Sequence, residues 1–299
     1  MSYVTTTEAQ DFGAEPDVTQ SQLDQAGRMV DAYLKRPEGL IYEVDGTGNP
    51  VCMAGLSPSG SFTVGALSPG LNVAATLAGP VQLLQVGDVL IADRGTTTAE
   101  ALVIVSLSGA NVTFRRVRYA HDGTQPLLSG LALSEQKTTP NDRAIIRLSR
   151  IPVAVPLSGV GRYGYRHRGD IPQTDPNTLF ALSVTFGGPP RWEVFDPINA
   201  AIDPRTGQVW VPAGLLMAYY AEVRLHYLAG WSTAPDAIKS AVCRIANNIS
   251  QYGYGVPMQA ERVDGISYTR ANGGKLANGG MIDAATEELL QPYRVRPLA

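Results

Sequence analysis

Between Glu222 and Asn248 the spacing of apolar residues changes from two to three or four, and that change separates a strand from a helix. Val223, Leu225 and Tyr227 alternate with Arg224 and His226, the period of a strand with one buried face. Gly230 breaks the pattern. Pro235 then falls in the first turn of a helix, where a missing N–H costs nothing, and Asp236 beside it suits the positive helix end. Ile238, Ala241, Val242, Ile245, Ile249 and Tyr252 make one apolar stripe, which Gly253 is placed to end. By spacing alone, this is a connection that many α+β domains contain.

A second helix is predicted near the start of the chain. Thr19 and Gln22 have capping-box spacing, and Val18 and Leu23 stand where a hydrophobic staple closes the first turn. Leu23, Ala26, Val30, Tyr33 and Leu34 form its stripe, Lys35 and Arg36 bring positive charge to its C-terminal end, and Pro37 stops it. Each helix has a single apolar face, so the economical expectation is that the two pack together.

From Asp45 to about Gln136 helical periodicity is absent. Short β-rich runs, Ser61 to Ala66, Val81 to Leu84, Val89 to Ala92, Ala101 to Leu107 and Asn111 to Tyr119, are separated by turn signals such as Gly87-Asp88 and Arg94-Gly95. They predict a small antiparallel barrel or sandwich. A second β-rich section runs from Ala144 to about Leu228, where Pro152, Pro156 and Pro172 belong at edges, strand starts or bulges and Asp203 to Gly207 makes a turn. Gly253 to Gly280 reads as a flexible loop without a phosphate-binding GxxxxGK[ST] pattern. Asp283 is placed to cap a last short helix through Leu289 and Leu290, before Pro292.

Charge adds an asymmetry that the net value of -3 hides. Residues 1 to 45 hold nine acidic and three basic side chains, whereas residues 111 to 170 hold ten basic and four acidic ones. Opposite charges of this kind suit a partner or a second copy, and equally two solvated faces. No apolar run reaches membrane-span length and no signal-peptide pattern opens the chain, so a soluble cytoplasmic product with no membrane partner is expected. Cys52 and Cys243 form no metal-like cluster and read as reduced, buried small hydrophobes.

Catalytic and cofactor motifs are not found. His121, His167 and His226 lie outside HExxH, Cys/His zinc and GxSxG patterns; His121 sits in a loop and His226 on the polar face of its strand, which suits structural or solvated roles. No catalytic, cofactor or metal residues are therefore assigned, and a non-enzyme is expected. Arg115, Arg116 and Arg118, with Arg166 and Arg168, interleave with aromatic residues, a pattern able to hold a nucleic-acid backbone or another anionic partner without sequence readout. The first group is equally a strand with arginines on its exposed face.

Together, the strand VRLHYLAGW, the Pro-initiated helix with IKSAVCRIANNI and the closing LLQPYRVR resemble the head–tail connector (adaptor) proteins of long-tailed bacteriophages and related particles. In that family a strand ending Tyr-x-Ala-Gly-aromatic is followed by Pro, then Ile-Lys-x-Ala. Tyr227, Ala229, Gly230, Trp231, Pro235, Ile238, Lys239 and Ala241 match it, and Leu289, Leu290, Pro292, Tyr293 and Arg294 match the closing motif. Tyr33 to Leu40 and the turn Ile202 to Pro212 fit less specifically. The resemblance covers roughly residues 18 to 44 and 145 to 299, whereas 45 to 140 depart from the small adaptors and look like barrel modules of other phage structural proteins.

The resemblance implies an α+β protein: a small helical bundle from the N- and C-terminal segments, an antiparallel β-section and an inserted small β-barrel-like domain. The adaptor domain would comprise 1–44 plus 145–299 and the insert 45–144. It implies a virion structural protein at the neck, made in the host bacterial cytoplasm. Copies of it would form a ring, typically of about twelve, beneath the portal protein, joining the DNA-filled head to the stopper or tail, with DNA passing through. Tyr293, Arg294 and Arg296 are then the docking candidates toward portal or neighbour, and Tyr227, Gly230, Trp231 and Pro235 fix the strand–turn–helix geometry. A tail-completion or baseplate component, or a glycan-binding or cell-wall-acting protein built on the β-insert, are the alternatives.

Overall fold

In a computed structural model, residues 2–139, 145–163, 192–197, 201–211, 220–252, 260–263, 266–269 and 282–294 are described. The fold is mixed α and β, and it contains a closed six-stranded antiparallel barrel. Contacts divide the chain into two compact units, Met1–Ile41 with Thr233–Ala299, and Tyr42–Ser232.

In the first unit, a short helix α1 (Thr6–Ala9) precedes α2 (Gln20–Leu34); the long helix α3 (Asp236–Tyr252) and the short α4 (Ala284–Leu290) follow later in the chain. Helix α2 begins as its sequence directs: the Thr19 side chain accepts from the Gln22 N–H while the Gln22 side chain accepts from the Thr19 N–H. Leu23, Ala26, Val30 and Leu34 of α2 are buried, as are Ile238, Ala241, Val242 and Ile245 of α3, and the two helices pack on each other. Asp283 caps α4 by accepting from the Thr286 N–H, and Pro292 lies in the 3-10 turn Gln291–Tyr293 that ends it. Just past the end of α2, Arg36 is 1% exposed and faces Glu38 at 3.4 Å. Lys35 in the left-handed conformation turns the chain at this point, which carries Arg36 inward.

The second unit begins with the hairpin β1 (Tyr42–Val44) and β2 (Pro50–Met53). The barrel follows from β3 (Gly60–Val64), β4 (Gly70–Ala78), β5 (Val89–Ala92), β6 (Glu100–Ser108), β7 (Asn111–Val117) and β8 (Leu127–Ser129), closed in the order β3-β4-β7-β6-β5-β8. Phe62, Leu77, Leu90, Leu102, Ile104 and Phe114 fill its interior. Strand β5 reads Val-Leu-Ile-Ala without alternation because its outer face is covered too: Val89 and Ile91 pack with Val51, Cys52 and Leu131. The run Val81 to Leu84, expected as a strand, is a 3-10 turn over Val81–Leu83; Gly79, at φ 135°, and Pro80 lead into it.

The remaining β-section holds a four-stranded antiparallel sheet. Its members are β9 (Leu133–Thr138), β11 (Val153–Tyr163), β12 (Glu193–Phe195) and β15 (Tyr220–Ala229), in the order β12-β11-β15-β9. A three-stranded sheet joins β10 (Ile145–Arg147), β13 (Ala201–Asp203) and β14 (Gln208–Trp210). Pro156 sits inside β11 at a register shift, where its missing N–H interrupts a ladder already broken. Asp203 holds the β13–β14 turn by accepting from the Arg205 N–H at 3.0 Å and the Thr206 hydroxyl at 2.6 Å, and Gly207 takes φ 68°. Within the segment read as a flexible loop, β16 (Ala260–Val263) and β17 (Ile266–Thr269) instead pair as an antiparallel hairpin; the rest of it, with Gly253, lies outside the described residues. Both cysteines are buried and unpaired.

Candidate functional site

Strand β7 and the residue after it carry three of the arginines singled out by sequence, and they wall a cleft of about 500 Å3 in the second unit. Its apolar floor includes Val51, Ala101, Val103 and Leu157. Arg115 is committed within the protein: it donates to the Phe195 carbonyl at 3.0 Å and faces Asp196 at 3.5 Å. Arg116 and Arg118 are exposed, and neither guanidinium has a partner among the described residues. Arg166 and Arg168 lie outside the described residues; among the described residues the basic wall is Arg115, Arg116 and Arg118.

Two carboxylates at the cleft are turned to internal use. Asp45 accepts from the Thr47 and Asn49 N–H groups, both at 2.8 Å, and from the Tyr119 hydroxyl at 3.1 Å. Burial raises its pKa, but the bonds from Asn49 and Thr47 outweigh that and hold it well below the carboxylate range. Glu100 accepts from the Arg118 N–H at 2.9 Å and the Tyr119 N–H at 3.2 Å, and its Oε1 lies 2.7 Å from Nε2 of His121. The other ring nitrogen of His121 lies 2.8 Å from Asp93. The hydrogen bond to Glu100, and then that to Asp93, raise the imidazole's pKa above its usual value despite burial. With both nitrogens engaged by carboxylates, His121 clamps β6 to the loop after β5. It is buried, and the solvated alternative is corrected.

A second buried polar cluster sits on β15. Its supposed polar face is covered by the turn before β5, because Gly87, at φ 90°, brings that turn so close that a Cβ there would lie 2.3 Å from Cγ1 of Val160. Arg224 donates to the Val86 carbonyl at 2.9 Å, and His226 is 8% exposed with Asp88 at 3.6 Å. Burial, then the neighbouring Arg224, lowers the His226 pKa from 6.5 to about 4, so it is a neutral buried ring and not a solvent-facing one. Trp192 carries two cations on its faces, Arg162 at 5.0 Å and Arg224 at 5.6 Å. These groupings join residues 21 to 138 positions apart, and no local spacing announces them.

The strand–turn–helix residues span the end of β15, the turn after it and Pro235 just before α3, one position short of the first turn read from the sequence. Tyr227 is fully buried in β15, where its hydroxyl donates to Glu135 and accepts from the Arg150 N–H at 3.3 Å. Gly230 has φ 107°, a conformation that side chains resist, and its N–H bonds the Pro152 carbonyl at 2.8 Å. Trp231 is half-buried, and its carbonyl accepts from the Tyr42 N–H at 3.0 Å. The Pro235 carbonyl accepts from Ile238 at 2.9 Å and Lys239 at 3.0 Å, opening α3. Tyr293 lies in the last 3-10 turn; Arg294 is exposed, with its guanidinium 5.5 Å from the Tyr33 ring, and Arg296 lies outside the described residues.

Among the described residues no group of three His, Cys, Asp or Glu side chains is placed to hold a metal ion, and no helix is long and apolar enough to cross a membrane. No protein-family model matches the chain, and no curated protein matches it.

Proposed function

We propose that this chain is a virion structural protein, a head–tail adaptor that forms a ring beneath the portal and joins the DNA-filled head to the stopper or tail, with DNA passing through the ring. The observation that carries the reading is the sequence Tyr227-x-Ala229-Gly230-Trp231 to Pro235. It forms the end of a buried strand, a left-handed glycine and the residue that leads into a helix 17 residues long. In this reading α2, α3 and α4 form the small helical bundle of the ring wall, and residues 1–44 with 145–299 form the adaptor domain. Residues 45–144 are its inserted barrel. The chain then works by assembly and not as an enzyme, and its place is the virion neck.

Tyr293, Arg294 and Arg296 are the docking residues toward portal or neighbour in this proposal. Arg116 and Arg118 would meet DNA or another anionic surface, whereas Arg115 is held by Phe195 and Asp196.

Co-expression with the portal protein of the same particle tests the reading. The full chain should co-purify with portal, and a chain lacking residues 292–299 should fold yet be retained much less. Equal retention of both chains would overturn the docking role. Capture of tail proteins without portal would instead mark a tail-completion component.

A further inference from the structure

The cleft along β7 combines features that a solvated arginine strand does not need. Its floor is aliphatic, through Val51, Ala101, Val103 and Leu157, and Leu71 stands at it 74% exposed. Arg116 and Arg118 border the same space without partners among the described residues, whereas Arg115 is held by Phe195 and Asp196. Asp45 and Glu100 are each only 6% exposed and are turned onto donors of the protein itself, and Asp196, with its side chain 42% exposed, is paired with Arg115 at 3.5 Å, which leaves Arg116 and Arg118 as the cations at the cleft without a partner among the described residues.

We infer that this cleft binds an extended, acidic segment of a partner protein in which carboxylates alternate with aliphatic side chains. Two positions apart along an extended backbone, Arg116 and Arg118 are separated by roughly 6.5 Å, which is also the spacing of alternate side chains in an extended peptide. One face of such a peptide places carboxylates against the guanidiniums, which favour them through charge-assisted and bidentate hydrogen bonds. The other face presents alkyl groups to Leu71 and the floor, and removes that surface from water. A sugar–phosphate backbone satisfies the arginines but has no alkyl groups for the floor, so the combined chemistry favours the peptide. The inference does not need a ring, because every residue invoked belongs to one copy.

The test uses the full chain and fluorescently labelled synthetic probes, measured by anisotropy. The probes are an eight-residue peptide alternating Asp and Val, its Asp-Ser and Lys-Val counterparts, and a single-stranded oligothymidylate. The Asp-Val peptide should bind, the Asp-Ser peptide should bind more weakly, and the Lys-Val peptide should not bind. Arg116→Ala with Arg118→Ala should weaken Asp-Val binding roughly tenfold or more. Leu71→Ser should weaken Asp-Val but leave Asp-Ser unchanged, which separates the floor from the charge; both variants change exposed side chains, and their melting profiles should match the parent. Equal binding of Asp-Val to the parent and the double variant would overturn the inference. So would an oligothymidylate that binds more tightly than Asp-Val and depends on the same arginines, which would make the cleft a nucleic-acid surface.

Discussion

Arg36 and Glu38 are 1% and 3% exposed and face each other at 3.4 Å as a buried ion pair. Replacing Glu38 by Gln or Ala should cost about 1–3 kcal/mol, read from urea unfolding, because it removes the carboxylate from a buried hydrogen-bonded ion pair. Tyr3 poses a neutral version of the problem: its hydroxyl donates to Asp31 and accepts from the Leu40 N–H at 3.0 Å. Burial raises the Asp31 pKa to about 6. Tyr3→Phe leaves both groups without that partner and should cost about 1–3 kcal/mol. The two described histidines give stability opposite dependences on pH. The raised pKa of His121 means its contribution is complete below 6.5 and is lost as pH rises through the folded value; His121→Gln should abolish that alkaline loss. His226, lowered to about 4, contributes fully above 6.5 and loses its contribution as pH falls toward 4, where the unfolded chain takes a proton the folded chain refuses. His226→Gln should therefore flatten the acid limb by about 3 kcal/mol. Unfolding free energies measured from pH 4 to 9 check both.

At the scale of elements, glycines with left-handed backbone set the joins. Gly230→Val puts a β-branched side chain at φ 107° and should destabilise the chain by about 1–3 kcal/mol, measured by thermal and urea unfolding. Under the adaptor reading the same change also impairs ring formation; a variant that folds and assembles like the parent would show that the join lies elsewhere. Elements whose determinants are local were legible in sequence. The Thr19–Gln22 box and the apolar stripes of α2 and α3 depend on neighbours three or four residues away, and the strands β5, β6 and β7 stand between clear turns. Strand β4 was not legible: its exposed Leu71 and Asn72, at φ 51°, break any alternation. The face of Arg224 and His226 was misjudged for a different reason, since a barrel turn nearly 140 residues earlier covers it. Of the candidate site, the arginines of β7 could be named from sequence. Their concave setting could not, because it depends on how β2, β6 and β11 meet around them.

For the whole molecule, the barrel and the β-section each bury a substantial apolar core, and the helices bury their stripes against one another. Under the adaptor reading, self-supporting parts of this kind suit a component that adds copies without refolding, and docking would turn on the closing residues Tyr293 and Arg294. Closed point-group symmetry limits such growth to a defined particle. The measurement that bears most directly on ring assembly is the solution mass of the chain by sedimentation, across a range of concentration and salt, with and without portal. The adaptor account predicts a discrete closed species of about twelve copies that forms on portal and travels with it. A strict monomer that never joins portal at any concentration or salt would contradict it.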